Sequence, residues 1–296
     1  MAKQLGKKGS EGDMVMYNAR RDEDVLVCLE PSRYPERLQS LAFTLSMSDV
    51  AILKADLFTR ELGEQIVALD AFGIKRGFFI LGESVGEGDF KKIVHSTVVE
   101  NYTRFDGDIA TLREKLFEMN AEPNLTEPVR VDISHHFKVK GVGTVILGSV
   151  AHGTLRQHDE LQIFPTKKKC SIRSIQVQDQ DVKEAATGSR VGCALKNVEP
   201  EELDRGFVLA PASSCEKTQS IEGELIRSRF YKVPLEVGTV VHLVERLQFV
   251  PGRISAILDD RATVELEKPL VEGAVQFPKV VLNLDAPLPR IIGRMD

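Results

Sequence analysis

The spacing of apolar residues changes character once along this chain. Up to about residue 119, short apolar runs alternate with stretches of helical period, and after residue 128 the helical period is gone. Residues 14–17 and 25–29 predict two strands around the charged turn Arg20-Arg21-Asp22-Glu23-Asp24. Leu38, Leu41, Ala42 and Leu45 recur at i, i+3, i+4 and i+7, which predicts a helix with one buried face. Pro35 is placed to open that helix, where its missing N–H costs nothing. Residues 50–53 read as a strand. Residues 59–72 read as a helix that buries Leu62, Ile66 and Leu69 and stops at Gly73. Residues 77–81 are apolar in sequence, as a central parallel strand is. Ile93 and Val94 predict a further strand. Asp108 is placed to cap a last helix, with Ile109, Leu112, Leu116 and Met119 inward.

This alternation predicts a parallel α/β layer followed by an all-β region. Residues 123–128 are a linker with two prolines and no periodicity, which sets a first domain at 1–122. Short strands with glycine at the corners then predict two small β-barrels, at 129–212 and 213–296. Gly141 and Gly143 bracket one residue where a strand must bend at a barrel corner. Residues 211–220 read as a polar connector. Strands are expected at 224–230, 239–244, 253–258, 262–266 and 279–284, with an acidic turn at Asp259-Asp260.

Composition narrows the function classes little. The chain has 296 residues and a formal net charge of -5. The charge is uneven: residues 129–296 hold 23 Lys+Arg and 22 Asp+Glu, which leaves 16 and 22, a net of -6, for the front. A local basic patch is compatible with a neutral rear half. Cys28, Cys170, Cys193 and Cys215 form no Cys-x-x-Cys pair and read as small buried residues of a reducing cytoplasm. No apolar run has the length of a signal peptide or a membrane span. His135 and His136 are adjacent on a predicted strand and point to opposite faces, so they cannot share a metal. No metal site and no cofactor is expected.

The order of the barrel pieces is specific. Phe137 to Gly148, Gly153-Thr154-Leu155, Asp159-Glu160-Leu161, Arg173-Ser174-Ile175-Gln176, Arg190-Val191-Gly192 and Arg205-Gly206-Phe207 follow one another as in the second domain of the elongation factor Tu superfamily of translational GTPases, which the chain resembles. His158 stands where that family usually has Gly. Phe230-Tyr231-Lys232, Val240 to Val244, Leu247-Gln248 and Val250-Pro251 resemble the third domain of the selenocysteine-specific, SelB-type branch. Ser48-Asp49, Glu64-Gln65, Gly6-Lys7-Lys8-Gly9 and Met16-Tyr17-Asn18 resemble a SelB-like paralogue of methanogenic archaea with a degenerate GTPase domain. That resemblance implies a role with a tRNA, for which pyrrolysyl-tRNA is the candidate, or with the ribosome.

The nucleotide motifs fail residue by residue. A P-loop needs Gly-x-x-x-x-Gly-Lys followed by Ser or Thr. Only Lys217-Thr218 ends that way, in the predicted connector, and Glu216 precedes it. The first strand and P-loop are expected to be missing ahead of residue 14, and Gly6 to Gly9 read as the basic end of a helix. Where the family places Asp-x-x-Gly-His, the chain reads Val27-Cys28-Leu29-Glu30-Pro31, without the residues for magnesium, the γ-phosphate or the water. Where the family places Asn-Lys-x-Asp, it reads Gly82-Glu83-Ser84-Val85. No GTP hydrolysis is expected and no catalytic residue is assigned.

Lys167, Lys168 and Lys169 with Arg173 form a basic cluster suited to RNA phosphates. The resemblance implies contacts of Gln176 and Arg190 with the terminal nucleotide of an aminoacylated tRNA, although the family's usual types there are acidic and amide. Three functions stay open at this stage. One is an elongation factor-like protein that binds tRNA or the ribosome without hydrolysing GTP. The second is a protein-binding regulatory module built from a retired GTPase. The third is a GTP-binding factor whose sequence begins upstream.

Overall fold

The structure is a computed structural model and describes residues 1–22, 24–119, 128–273 and 275–296. All of the expected linker except Pro128 lies outside the described residues. The front region runs α1 (Ala2–Leu5), β1 (Lys7–Glu11), β2 (Met14–Arg21), β3 (Asp24–Pro31), α2 (Leu38–Ser46), β4 (Ala51–Ala55), α3 (Arg60–Ala71), β5 (Gly77–Leu81), α4 (Glu87–Val94), β6 (Thr103–Arg104) and α5 (Ile109–Glu118). β1, β2 and β3 form one antiparallel sheet, while β4, β5 and β6 form a separate parallel sheet.

The first barrel is built from β7 (Arg130–Val139), β8 (Gly143–His152), β9 (Thr154–Arg156), β10 (Glu160–Phe164), β11 (Lys168–Val177), β12 (Gln180–Val182), β13 (Glu184–Ala186), β14 (Arg190–Lys196) and β15 (Val208–Ala210). The sheet order β10-β15-β7-β8-β14-β11 closes through pairing of β10 with β11. Val131, Ile133, Ile146, Ile163, Ile172 and Ile175 fill it. The second barrel comprises β16 (Cys215–Arg227), β17 (Val240–Glu245), β18 (Gln248–Leu258), β19 (Arg261–Gly273), β20 (Lys279–Leu282) and β21 (Ile291–Met295), closed in the order β16-β19-β18-β17-β20-β21. The chain is thus α/β followed by all-β, as its apolar spacing predicts.

Local chemistry sets several boundaries. Asp108 Oδ1 accepts the Thr111 amide at 2.8 Å, so α5 is capped as read, and Thr59 Oγ1 accepts the Leu62 amide at 3.1 Å, a cap on α3 that the sequence reading did not name. Gly73, at φ 68, ends α3 in the left-handed region. Thr59→Ala is expected to lower stability by about 1 kcal/mol, read from the urea midpoint at unchanged m-value.

Four readings are corrected. Ile93 and Val94 belong to α4, because Phe90 and Val94, four apart, share a buried helix face against Phe79. Pro35 does not open α2, which starts at Leu38. Residues 7–9 lie in β1 and not at the end of a helix. Gly6 lets that strand turn in, since a Cβ there would lie 2.7 Å from the Asn18 carbonyl carbon. The polar connector becomes β16 from Cys215, so Lys217 and Thr218 pair with Val271 and Leu270 in the barrel wall. Cys170 and Cys193 are buried, and burial pushes the Cys193 thiol up to about 12. Cys28 and Cys215 are only half-buried.

The front region and the second barrel share a core. Val244, Val280, Leu282 and Ile291 pack in one cluster with Leu38, Leu62, Ile66 and Phe90. Glu64, buried on α3, accepts the Arg290 backbone N–H at 2.7 Å and its guanidinium at 2.6 and 3.0 Å. A buried carboxylate needs such donors.

Candidate nucleic-acid interface

Strand β11 carries the basic residues, and its local irregularity decides which of them align. Cys170 and Ile172 point into the barrel, and so does Ile175, three residues on. The change of parity is a bulge against β14 between Ile172 and Ser174. Lys169, Arg173 and Gln176 are therefore all exposed on the outer wall. At strand rise the row spans about 20 Å. Lys167 sits at the β10–β11 turn with φ 61 and is exposed.

Neighbours already hold part of this set. Lys168 Nζ donates to Glu202 at 2.9 Å. The Arg173 guanidinium donates to the Val142 carbonyl at 2.8 Å, which anchors it against the β7–β8 turn and leaves it exposed. The Gln176 amide nitrogen donates to Asp181 on β12 at 2.9 Å. Arg190 is not part of the row's exposed run. It starts β14 opposite Ser149, is half-buried, and burial lowers its guanidinium from its ordinary value. The structure thus brings Lys167, Lys169, Arg173 and Gln176 to one surface and sets Lys168 and Arg190 apart from it.

The joint between the domains holds a set of charges for which the chain pattern gave no sign. Asp132 on β7 accepts Arg130 Nε at 2.9 Å and Arg246 Nε at 2.8 Å. Arg130 also donates to Glu245 at 3.0 Å, and Lys279 approaches Glu245 at 4.0 Å and Glu272 at 3.0 Å. Arg246 reaches the Ser46 carbonyl of α2 at 2.6 Å. Phe277 lies under both guanidinium groups, 5.0 and 4.9 Å from its ring centre. Both barrels and the front region meet there. Arg205 repeats the device: it donates to Asp13, to the Ser134 carbonyl at 3.1 Å and to His135 at 3.3 Å. Burial, with Arg205 and Arg190 beside it, lowers His135 from its ordinary value, so the ring is a neutral acceptor. Among the described residues no cluster of His, Cys, Asp or Glu could hold a metal ion, and no helix is long and apolar enough to cross a membrane.

An α/β front region, with one antiparallel and one parallel sheet, docked on two six-stranded barrels with buried ion pairs at the joints is the architecture of a translation elongation factor-like protein. Residues 143–210 match the family model of elongation factor Tu domain 2. An uncharacterized protein of Methanocaldococcus jannaschii is 37% identical over 268 residues, 90% of this chain and 87% of that one. The selenocysteine-specific elongation factor of the same organism is 26% identical over 277 residues, and the match spans 85% of this chain but 59% of that protein. In fold, the chain is similar to the translation elongation factor SelB of Methanococcus maripaludis in complex with the GTP analogue GppNHp. The TM-score is 0.80 at 20% identity, covering 96% of this chain and 73% of that one. The chain belongs to the elongation factor Tu and SelB-like superfamily of translational GTPases.

Proposed function

We propose that the protein acts in translation by binding tRNA or the ribosome, and that it does so without hydrolysing GTP. The observation that carries the RNA half is the outward row of Lys169, Arg173 and Gln176 on β11, with Lys167 at its end. Two cations and an amide donor on a rigid strand meet a phosphate backbone without reordering the protein. The nucleotide half rests on residues 27–31 and 82–85. Glu30 and Pro31 end β3, and Gly82 follows β5. These positions lack the aspartates that would hold magnesium and read guanine.

Two measurements test the halves separately. RNA that co-purifies with the protein should be enriched in tRNA or ribosomal RNA, and the enrichment should vanish in high salt. Calorimetry with millimolar GTP or GDP and Mg²⁺ should give no saturable heat. A micromolar dissociation constant, roughly -8 kcal/mol, would overturn the nucleotide half whatever the motifs lack. A protein-binding role is the second reading. Leu57 and Phe58, adjacent after β4 and 59% and 44% exposed, favour it, and absence of any enriched RNA would select it.

A further inference from the structure

The β1–β2 turn of the front region meets the first barrel through one arginine. Arg205, between β14 and β15, is fixed to its own barrel by Nε, which donates to the Ser134 carbonyl at 3.1 Å. Its Nη1 pairs with the Asp13 carboxylate of the turn, and its Nη2 donates to His135 Nε2 at 3.3 Å. The guanidinium also lies 5.3 Å from the ring centre of Phe43 on α2. The turn is tied to the front region on its other side. The Asp13 carbonyl accepts the Ser32 amide at 3.1 Å and the Ser40 hydroxyl, and the Gly12 carbonyl accepts the Ser32 hydroxyl at 2.6 Å. A Cβ on Gly12 would lie 3.5 Å from His135 Nε2, so the turn backbone packs on the edge of the imidazole.

The neighbours of the ring fix its tautomer. Ser134 Oγ gives its proton to the Leu147 carbonyl at 2.9 Å, so toward His135 Nδ1, 3.2 Å away, it can only accept. A guanidinium can only donate. The ring therefore carries its proton on Nδ1 and offers a bare Nε2 to Arg205. A second proton has one place to go, and that is the atom that receives the Arg205 bond. It would turn an acceptor into a donor and set two like charges against each other across 3.3 Å. The charged and titratable groups that face the ring are Arg205, Arg190 of β14, Asp13 of the turn, and His136 beside it on β7. Of these only Asp13 favours a cation, and burial with the two arginines holds the ring below its ordinary value. The ring is only half-buried, so protons reach it from solvent.

We propose that His135, Arg205 and Asp13 form an acid-released latch between the front region and the first barrel. While the ring is neutral it steadies Arg205 on Asp13. Once Arg205 has left it, the ring takes a proton at the ordinary histidine value of about 6.5, and in the closed latch only at lower pH. The closed latch thus binds fewer protons than the open one. Its advantage is complete above about pH 6.5 and shrinks as pH falls below that. The other joints do not share this response. Glu64 with Arg290, and Asp132 with Arg130 and Arg246, include no histidine, so they continue to hold the front region to the second barrel and the barrels to each other. Acid therefore frees the β1–β2 turn from the first barrel without taking the domains apart. This inference goes beyond the proposed function, and its test does not read RNA binding.

The test is nuclear magnetic resonance of the isotope-labelled full chain, titrated from about pH 8 to pH 5, a range that spans the ordinary histidine value. At the alkaline end the His135 ring nitrogens should report the Nδ1–H tautomer. The ring should titrate with a midpoint below about 6.5, and the Gly12, Asp13 and Arg205 resonances should move with that same midpoint. Arg205→Gln removes the facing charge and should raise the His135 midpoint by about 0.5 pH or more, toward the ordinary value. His135→Gln keeps a neutral acceptor that cannot titrate, and the Gly12 and Asp13 resonances should then stay still over the same range. An Nε2–H tautomer, or a parent midpoint at or above about 6.5, overturns the latch, and both are read on the unaltered chain whatever the variants do. Movement of Gly12 and Asp13 that persists unchanged in His135→Gln overturns it too, because another group would then drive the turn.

Discussion

Asp132→Ala should lower the stability of the folded protein by about 3–5 kcal/mol. A domain-sized protein has only ~5–15 kcal/mol in total. Asp132 is 1% exposed and lies between two guanidinium groups, Arg130 on its own strand and Arg246 from the second barrel. Removal of the carboxylate leaves both cations without their shared partner. Arg130 has the less room to recover. Its side chain is 4% exposed, and its Nη2 already lacks a hydrogen-bond partner among the described residues. The loss should therefore appear as a lower urea midpoint. The pH dependence has a defined sign. Burial alone would raise the Asp132 carboxyl, but Arg130 and Arg246 outweigh burial and hold it below its ordinary value. Its contribution is therefore fully present above about pH 4, the unfolded value, and is lost as pH falls through the lower folded value. Glu245 runs the other way, because burial raises its carboxyl more than Arg130 and Lys279 lower it. The Asp132→Ala protein should show a flatter stability curve below about pH 4 than the parent. A triple variant, Arg130→Met with Asp132→Leu and Glu245→Leu, removes the three most buried charges, leaves Arg246 on the Ser46 carbonyl and Lys279 on Glu272, and should recover much of the loss. A loss under about 1 kcal/mol in the single variant would show that water screens this cluster, contrary to its burial.

What the chain pattern revealed and what it hid follow from the range of the interactions. The cap at Asp108 and the stop at Gly73 were legible because cap, helix and stop are neighbours in sequence. Strand β5 was legible because a strand covered on both faces needs a continuous apolar run. The α4 helix was misread because its two buried residues, Phe90 and Val94, are few and the pair Ile93-Val94 mimics a strand. β21 was missed: Ile291 and Ile292 follow Pro287 and Pro289, and five residues give too short a period to read. The joint between domains was illegible for another reason. Arg130 and Glu245 are 115 positions apart, and Glu64 and Arg290 are 226 apart. Each looks like an ordinary surface charge until the fold removes water from it. At the candidate interface the residue types were legible, but their grouping was not. The bulge in β11 is what turns Gln176 to the same side as Lys169 and Arg173.

If the β11 row holds RNA, replacing Lys167, Lys169 and Arg173 together by Ala should weaken tRNA binding roughly 10- to 100-fold at low salt. The slope of log affinity against log salt should shrink by about 2 to 3, near one unit for each phosphate that no longer meets a cation. The change should be nearly the same for every tRNA, because phosphate contacts carry no sequence information. Lys168 supplies the internal control. Its ammonium is engaged by Glu202 at 2.9 Å, so Lys168→Ala should change the slope much less than Lys169→Ala. A bound phosphate would have to displace a carboxylate that already neutralises that lysine. Arg190→Ala should leave the salt slope unchanged, because the Arg190 side chain is half-buried beside Ser149 and not on the exposed row. Any effect of Arg190 should appear only as a changed preference between aminoacylated and bare tRNA. Filter binding at two salt concentrations, with thermal unfolding to show that each variant folds, decides the matter. Equal effects of Lys168→Ala and Lys169→Ala would mean that bulk charge attracts the RNA and that the row gives it no seat. A slope unaffected by the triple change would move the RNA to another face. The six excess acidic residues of the front region make that face a part of the barrels and not of the α/β layer, because like charge repels a phosphate backbone.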